Sequence, residues 1–161
     1  MDKSKFYGVY TPVISPCDNE DRFLEKVFAD NIERLFKSGV NGLYVCGGTG
    51  DTFNLRVSER KLAAEIAAKL AKSYDKNIII HVGATHLRDS EELSEHAAQV
   101  GAMAVSSIPP LDLGQNQIVE YYRRVAGVSG LPVLVYHIPA VTHRNPSFDE
   151  MLQLLDVKGV A

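Results

Sequence analysis

Two kinds of apolar spacing alternate along the chain. Short unbroken runs, rich in β-branched and aromatic residues, predict buried strands at 6–14, 42–46, 77–82, 103–108 and 132–138. Between them, helical spacing predicts helices at 21–38, 58–73, 89–100, 116–128 and 147–155. We expect Ser58 to cap the second helix, and capping-box spacing to open the third at Asp89 and the fifth at Ser147. Pro12 lies inside the first run and cannot donate a hydrogen bond to a central strand ladder.

The order of these segments predicts the fold class. Strand centres recur about every 25 to 36 residues with a helix after each, which predicts a parallel sheet, either open and doubly wound or closed as a barrel. An open sheet of this size should finish with its last helix, whereas residues 157–161 look like the start of a sixth strand. We therefore expect an α/β fold of the TIM (β/α)8-barrel class, comprising roughly the first five βα units plus the start of strand six.

No linker or shift in composition divides the chain, so residues 1–161 are expected to form a single, partial barrel domain. Five barrel units alone would expose two sheet edges and apolar faces meant for missing neighbours. The sequence therefore predicts either a fragment of a longer protein or a chain that pairs with something else.

Composition and charge narrow the possible partners. A net charge of -3 and a pI near 5.9 argue against a nucleic-acid surface. No apolar run approaches the length of a membrane span, and no apolar segment of a secretory leader follows the N-terminus. Cys17 and Cys46 form neither a disulfide framework nor a CxxC pair. Two reduced thiols in a cytoplasmic protein are the expectation.

The second strand runs into a cluster of three glycines around one threonine: Gly47, Gly48, Thr49 and Gly50. Glycine permits positive φ and brings backbone amides close to a ligand. Successive amides, with the threonine hydroxyl as a further donor, can form a nest for a carboxylate or phosphate. A strand-to-helix turn that needs glycine for geometry alone is the alternative interpretation.

In a barrel, chemistry gathers where the strands end at their carboxyl termini. The polar side chains expected there are Thr49, Asp51, His81, Thr85, Ser106, Ser107, Tyr136 and His137. Tyr136 and His137 are neighbours on a strand, so only one of them can point into the barrel. A buried phenol there can relay a proton, or it can be a core tyrosine bonded to backbone. His81, within an apolar strand, is interpreted as a core histidine, and no His, Asp or Glu spacing predicts a metal site.

Several of these stretches together resemble the dihydrodipicolinate synthase / N-acetylneuraminate lyase family of class I aldolases, from Gly8 to the C-terminal residue. The matching stretches are Gly8 with Ser15-Pro16, residues 39–45 leading into Gly47-Gly48-Thr49-Gly50-Asp51, Val57-Ser58-Glu59-Arg60, and Tyr136-His137-Ile138-Pro139. His81-Val82-Gly83, and the Ala140-Val141 that follows Pro139 in place of an arginine, resemble the N-acetylneuraminate lyase side of the family.

The resemblance implies a Schiff-base lyase that cleaves a 2-keto-3-deoxy sugar acid, such as N-acetylneuraminate, to pyruvate and an aldehyde. It implies that Gly48, Thr49 and Gly50 hold the carboxylate of pyruvate or of another 2-keto acid, and that Tyr136 is catalytic as a proton relay. It further implies a homo-oligomer that needs no metal or organic cofactor.

The chain departs from the family pattern at four places. Gly48 lacks a hydroxyl that the family uses at the carboxylate, Asp51 replaces a glutamate, and Leu111 stands where an aromatic residue is usual. The family's Schiff-base lysine lies a few residues beyond a segment that matches 159–161, and Lys158 is too early to replace it. The 161-residue chain alone is therefore expected not to catalyse the aldol chemistry.

Three other functions remain open at this point. The first is dihydrodipicolinate synthase or another pyruvate aldolase on the same scaffold. The second is a non-catalytic module that binds a keto acid. The third is a barrel fragment that associates with itself through its exposed edges.

Overall fold

The computed structural model describes residues 3–161, and it consists of one parallel sheet with helices between the strands. The strands are β1 (Tyr10–Pro12), β2 (Gly42–Val45), β3 (Asn77–His81), β4 (Ala104–Ser107) and β5 (Val133–Val135). The helices are α1 (Glu25–Lys37), α2 (Val57–Ser73), α3 (Leu87–Gln99), α4 (Gln115–Ser129), α5 (Pro139–Thr142) and α6 (Phe148–Leu155).

The strands lie side by side in the order in which they occur along the chain, β1-β2-β3-β4-β5, and every pairing is parallel. A doubly wound sheet reverses its strand order once, whereas a barrel never does. Right-handed crossovers in an unreversed order place all helices on one side of the sheet. The sheet order therefore confirms the barrel prediction over the open, doubly wound alternative.

The two faces of the sheet carry different residues. Side chains that face the helices form the apolar core with them, and they include Val45, Ile78, Ile80, Val105 and Val133. The alternate residues point to the opposite side, which we call the inner face, because successive strand residues point to opposite sides. The inner face carries the polar side chains of the strand ends: Tyr44, His81, Ser106 and Tyr136.

The first strand is shorter than predicted. Gly8 has φ of 136°, which breaks the extended chain, and residues Lys3–Phe6 form a 3₁₀ turn instead of a strand. The Val9 amide leaves the ladder and donates to Asn41 Oδ1 at 2.8 Å. The prediction of a strand over 6–14 is therefore wrong outside Tyr10–Pro12.

Three predicted helix starts are also wrong, the first being that of α1, which begins at Glu25 and not at residue 21. Ser58 lies inside α2, which is capped at Arg56, whose amide donates to Glu59 Oε2 at 2.8 Å. Asp89 lies in the first turn of α3, which begins at Leu87. The start predicted at Ser147 is confirmed, since its hydroxyl accepts from the Glu150 amide and the Glu150 carboxylate accepts from the Ser147 amide.

The chain after β5 differs from the prediction in one place and agrees in another. The short helix α5 begins at Pro139, a residue that we expected only to stop the strand, because proline suits the first position of a helix. Val160 forms a parallel bridge with Val133, and the Ala161 amide donates to the Val133 carbonyl at 2.9 Å. Residues 157–159 form a turn, so of the sixth strand predicted to start at 157–161 only Val160 and Ala161 pair with β5.

Candidate active site

A 3₁₀ turn, Gly48–Gly50, follows β2 and carries Thr49. The amides of Gly50 and Asp51 donate back into this turn at 3.0 and 3.1 Å, so they are used by its own backbone. The first amides of such a turn have no partner within it. The groups left to bind a ligand are therefore the amides of Gly48 and Thr49 and the Thr49 hydroxyl. Both residues are exposed, so an anion can reach them.

The prediction that the glycines of this turn adopt positive φ is wrong. Gly47 has φ of -81°, and none of the three glycines is left-handed. The left-handed positions are Cys46 and Asp51, with φ of 57° and 53°. These two residues flank the turn, so glycine is not what allows the chain to reverse there.

Close packing explains two of the three glycines instead. A Cβ atom at Gly47 would overlap the Tyr44 ring, and one at Gly50 would lie 2.8 Å from the Val13 carbonyl oxygen. A Cβ at Gly48 would meet nothing within 4 Å. The backbone and its neighbours therefore require glycine at positions 47 and 50, whereas position 48 has room for a side chain.

Three rings meet on the inner face beside this turn. The Tyr136 ring lies edge-on to the Tyr44 ring at 5.9 Å and to the His81 ring at 6.1 Å between centroids. The Tyr44 hydroxyl donates to Ser106 Oγ at 3.0 Å, and burial raises the pKa of Tyr44 to about 12, so it stays a donor at neutral pH. Tyr136 is half-buried, whereas its neighbour His137 is exposed. Of the two neighbours, Tyr136 is the one on the inner face.

His81 ends β3 and is fully buried. Its Nε2 atom accepts a hydrogen bond from the Ile108 amide at 3.1 Å, so the proton of the neutral ring resides on Nδ1. Nδ1 lies 3.3 Å from the Thr52 hydroxyl oxygen. Burial, and then the charge of Arg60, lower the pKa of His81 to about 3. The ring is therefore a neutral, fully bonded core histidine, as its apolar strand predicts.

Arg60, on α2, has a buried guanidinium group at the carboxyl end of β3. Its Nη1 and Nη2 atoms donate to the carbonyls of Gly83 and His81 at 2.9 and 2.7 Å. Its Nε atom has no hydrogen-bond partner within residues 3–161. Burial lowers the pKa of this guanidinium. Arg60 thus ties α2 to the carboxyl end of β3.

The other predicted candidates are not gathered with these residues. The Asp51 carboxylate is exposed and accepts both of its hydrogen bonds, at 2.9 and 3.0 Å, from the Asn54 amide group. The hydroxyl of Ser107 donates to the Ile108 carbonyl and pairs with the Tyr121 hydroxyl, on the helix side of β4. Thr85 is exposed in the loop after β3. Each of these groups therefore has a local role or faces solvent.

A cleft of about 510 Å³ opens at the carboxyl end of β4. Its lining is mostly apolar and includes Phe53, Leu111 and Val141, with exposed fractions of 57, 54 and 39%. A concave, largely apolar cleft with a few polar groups is typical of small-molecule sites. Leu111, one of the positions that depart from the family pattern, lies on the rim of this cleft.

Within residues 3–161, no three His, Cys, Asp or Glu side chains come close enough to bind a metal ion together. No helix of this described part is long and apolar enough to cross a bilayer.

Sequence reasoning missed Tyr44, Thr52 and Arg60. The observation that could have revealed Tyr44 is the one that singled out Tyr136, a phenol within an apolar strand that needs a partner. Thr52 and Arg60 left no such trace, because their partners lie on β3 and on the loop after it. Contacts across more than 20 residues of sequence cannot be predicted from local spacing.

Several known proteins with similar sequences are N-acetylneuraminate lyases. The chain is 34% identical to the N-acetylneuraminate lyase of Homo sapiens, matching 93% of this chain and 48% of that protein. It is 32% identical to the N-acetylneuraminate lyase of Rhizobium meliloti, matching 97% of this chain and 53% of that protein. The chain thus spans about half the length of these relatives.

Solved structures with the same fold come from both branches of one family. The sialic acid aldolase of Ruminococcus gnavus superposes with a TM-score of 0.90 at 25% identity, covering 97% of this chain and 52% of that one. A Clostridium difficile structure in complex with mannosamine superposes with a TM-score of 0.88 at 28% sequence identity, and the match covers 95% of this chain and 53% of that one. The dihydrodipicolinate synthase of Agrobacterium tumefaciens superposes with a TM-score of 0.90 at 25% sequence identity, and the match covers 98% of this chain and 53% of that one.

The profile of the family described as "Dihydrodipicolinate synthetase family" matches residues 5–161, which is nearly the whole chain. The unreversed parallel sheet, with a helix after each strand, corresponds to about half of the (β/α)8 barrel of these aldolases. The protein belongs to the dihydrodipicolinate synthetase family.

Proposed function

We propose that the chain contributes the carboxylate site and the proton-relaying tyrosine of a Schiff-base lyase. The lyase cleaves a 2-keto-3-deoxy sugar acid, such as N-acetylneuraminate, to pyruvate and an aldehyde. One observation carries the proposal: the exposed Thr49 turn and the half-buried Tyr136 both follow carboxyl ends of strands, and the Tyr44 ring packs against Gly47 of that turn and lies 5.9 Å from the Tyr136 ring. Barrel enzymes place their chemistry at this edge.

The proposed roles follow from the chemistry of each group. The amides of Gly48 and Thr49, with the Thr49 hydroxyl, donate to the carboxylate of the keto acid. Gly50 keeps the turn closed, because its amide donates to the Gly47 carbonyl and its site has no room for a side chain. The Tyr136 hydroxyl donates and accepts protons as the imine forms and the carbon–carbon bond breaks.

The choice of sugar acid over the substrates of a synthase is supported by the sequence relatives. Relatives at 30 to 34% identity are N-acetylneuraminate lyases, whereas the solved structures include lyases and synthases at similar TM-scores. A homo-oligomer and a cytoplasmic location are part of the same proposal. No cofactor is proposed.

Pyruvate binding tests the carboxylate site directly. We expect millimolar pyruvate to shift the backbone amide NMR signals of residues 48–52 in the 161-residue chain. Thr49→Val removes the hydroxyl at nearly constant volume and should weaken binding about tenfold, because a hydrogen bond to a charged group contributes about 1.5 kcal/mol. Thr11→Val makes the same chemical change on β1 and should leave the affinity unchanged.

Two results would contradict the proposal: no shifts at residues 48–52 with pyruvate, or equal affinities for the unsubstituted chain and Thr49→Val. Reduction with borohydride after incubation with pyruvate gives a second measurement. We expect the mass to stay at 17.7 kDa, because Lys158, the lysine nearest to the family's Schiff-base position, is exposed in the turn before Gly159. A pyruvyl adduct would instead place the reactive amine within residues 1–161.

A further inference from the structure

The His81 ring lies between the two loops that border the candidate site. One ring nitrogen accepts a hydrogen bond from the amide of Ile108, at the start of the loop after β4. The other lies 3.3 Å from the hydroxyl oxygen of Thr52, in the loop after β2. The two loops therefore contact the same side chain.

The direction of each hydrogen bond is fixed by the first contact. An amide can only donate, so Nε2 of His81 is an acceptor and Nδ1 carries the proton. Nδ1–H then faces the Thr52 hydroxyl oxygen and donates to it. Thr52 is 2% exposed, so water cannot replace the imidazole as its partner.

Thr52 is well placed to transmit the position of His81 to the anion-binding turn. Its amide donates to the Gly47 carbonyl at 3.4 Å, and this bond spans the 3₁₀ turn that carries Thr49. The same imidazole lies edge-on to the Tyr136 ring at 6.1 Å. His81 is therefore linked through Thr52 to the turn that carries Thr49, and its own ring lies beside Tyr136.

We propose that His81 is a positioning residue for the keto-acid site, acting through the Thr52 hydroxyl on the Gly48–Gly50 turn. The inference rests on the proposed function, because it concerns how that same site is held in shape. His81 does not touch the substrate and exchanges no proton with it. It acts as a neutral hydrogen-bond donor in a fixed tautomer.

Substitution of His81 by asparagine or by glutamine distinguishes the hydrogen bond made by Nδ1 from the one made by Nε2. In His81→Asn the side-chain amide can occupy the place of Nδ1 and keep a donor for Thr52. In His81→Gln the longer side chain reaches the place of Nε2, so it keeps an acceptor for Ile108 and loses the Thr52 contact. We expect His81→Gln to weaken pyruvate binding about three- to tenfold and His81→Asn to retain it, because one net hydrogen bond is at stake.

Thr52 completes a double-mutant cycle. Thr52→Val should weaken pyruvate binding by the same factor as His81→Gln, the double variant should be no weaker than either, and Thr52→Ser should restore binding. The amide signals of residues 48–50 should move alike in His81→Gln and Thr52→Val without ligand. Ser38→Ala removes a hydroxyl that donates to the Leu35 carbonyl at 2.7 Å, next to α1, and serves as the control for a lost hydrogen bond elsewhere.

The outcomes distinguish this inference from the proposed function. Nitrogen NMR of the imidazole should report a protonated Nδ1 and an unprotonated Nε2, and the opposite tautomer would overturn the inference. Pyruvate bound equally by the unsubstituted chain, His81→Gln and Thr52→Val would also overturn it and leave the proposed function standing. Absence of pyruvate binding in the unsubstituted chain would overturn both. A His81 variant that fails to fold leaves Thr52→Val to decide.

Discussion

His81 illustrates how burial fixes the protonation state of a single side chain. An imidazolium at this position would lose its hydration without gaining an anionic partner, and the Arg60 guanidinium nearby adds repulsion. The ring therefore stays neutral in the folded chain, with a pKa of about 3 against about 6.5 when unfolded. That difference couples folding to pH.

The coupling has a definite sign. Below pH 6.5 the unfolded chain takes up a proton that the folded chain refuses, so the free energy of unfolding falls as the pH falls toward 3. The contribution of His81 should fall by about 2 kcal/mol between pH 7 and pH 5. Urea unfolding at pH 7, 6 and 5 measures this change in the free energy of unfolding. His81→Asn should remove most of the pH dependence.

Below pH 5, groups other than His81 also contribute to the pH dependence of the free energy of unfolding. Hydrogen bonds lower the pKa of Asp18 and Glu150, so these carboxylates also lose stabilising interactions in acid, at still lower pH. Parallel stability curves for the unsubstituted chain and His81→Asn would contradict the prediction.

At the scale of residues, the sequence predicted where Thr49 and Tyr136 lie, at the carboxyl ends of strands, better than how the chain around them is held. Thr49 and Tyr136 stood out because a hydroxyl beside glycines and a phenol in an apolar strand are both unusual. The reason for the glycines could not be predicted. It depends on the Tyr44 ring and on the Val13 carbonyl, which approach the turn only in the folded sheet.

At the scale of elements, hydroxyl groups join β4 to two helices. The Tyr121 hydroxyl on α4 lies 2.5 Å from Ser107 Oγ of β4 and 3.1 Å from Ser90 Oγ of α3, within hydrogen-bond distance of both. Ser90 in turn accepts the Ala84 amide from the loop after β3. A single buried phenol therefore holds together three elements and a loop at the carboxyl end of the sheet.

Removing this phenol should destabilise the fold. Tyr121→Phe leaves the ring in place but deprives two buried hydroxyls of a partner, so the free energy of unfolding should fall by about 1 to 3 kcal/mol. Tyr7→Phe, on a ring that is 79% exposed, should change it by less than about 0.5 kcal/mol. Urea unfolding at pH 7 gives both values, and equal losses in the two variants would refute the assigned role.

Helix and strand locations followed from periodicity, whereas their ends did not. Each segment of apolar spacing became an element of the predicted type, because burial of one face decides helix or strand. The starts of α2 and α3 were misplaced, since Ser58 and Asp89 have the composition of caps but lie after the first helical residue. Several polar residues near a helix start can satisfy its amides, and the backbone path selects among them.

At the scale of the molecule, the exposed apolar rim of the cleft bears on assembly. Phe53, Leu111 and Val141 are exposed apolar residues that line the same cleft, and exposed apolar patches are typical of interaction sites. We expect sedimentation velocity to give masses at multiples of 17.7 kDa as concentration rises. Leu111→Glu should shift the equilibrium toward the monomer, because it places a charge within this rim.

Val27→Glu is the matched control, since Val27 is 44% exposed on α1, away from the cleft. A monomer at all concentrations, or equal effects of the two substitutions, would argue against association through the rim. That residues 1–161 behave as a single partial barrel domain also stays a prediction, although the barrel order of the strands could be predicted from the βαβ rhythm and is confirmed.

The unreversed strand order has a consequence for folding. Tyr10 pairs with Gly42, Gly42 with Asn77, Ile79 with Ala104 and Val105 with Val133, so every pairing joins positions roughly 25 to 35 residues apart. Loop-closure entropy grows only with the logarithm of loop length, and these four closures differ by about 0.3 kcal/mol. No pairing has to wait for a distant part of the chain. Each newly made βα unit can therefore add to the sheet as it leaves the ribosome, in the order in which it is translated.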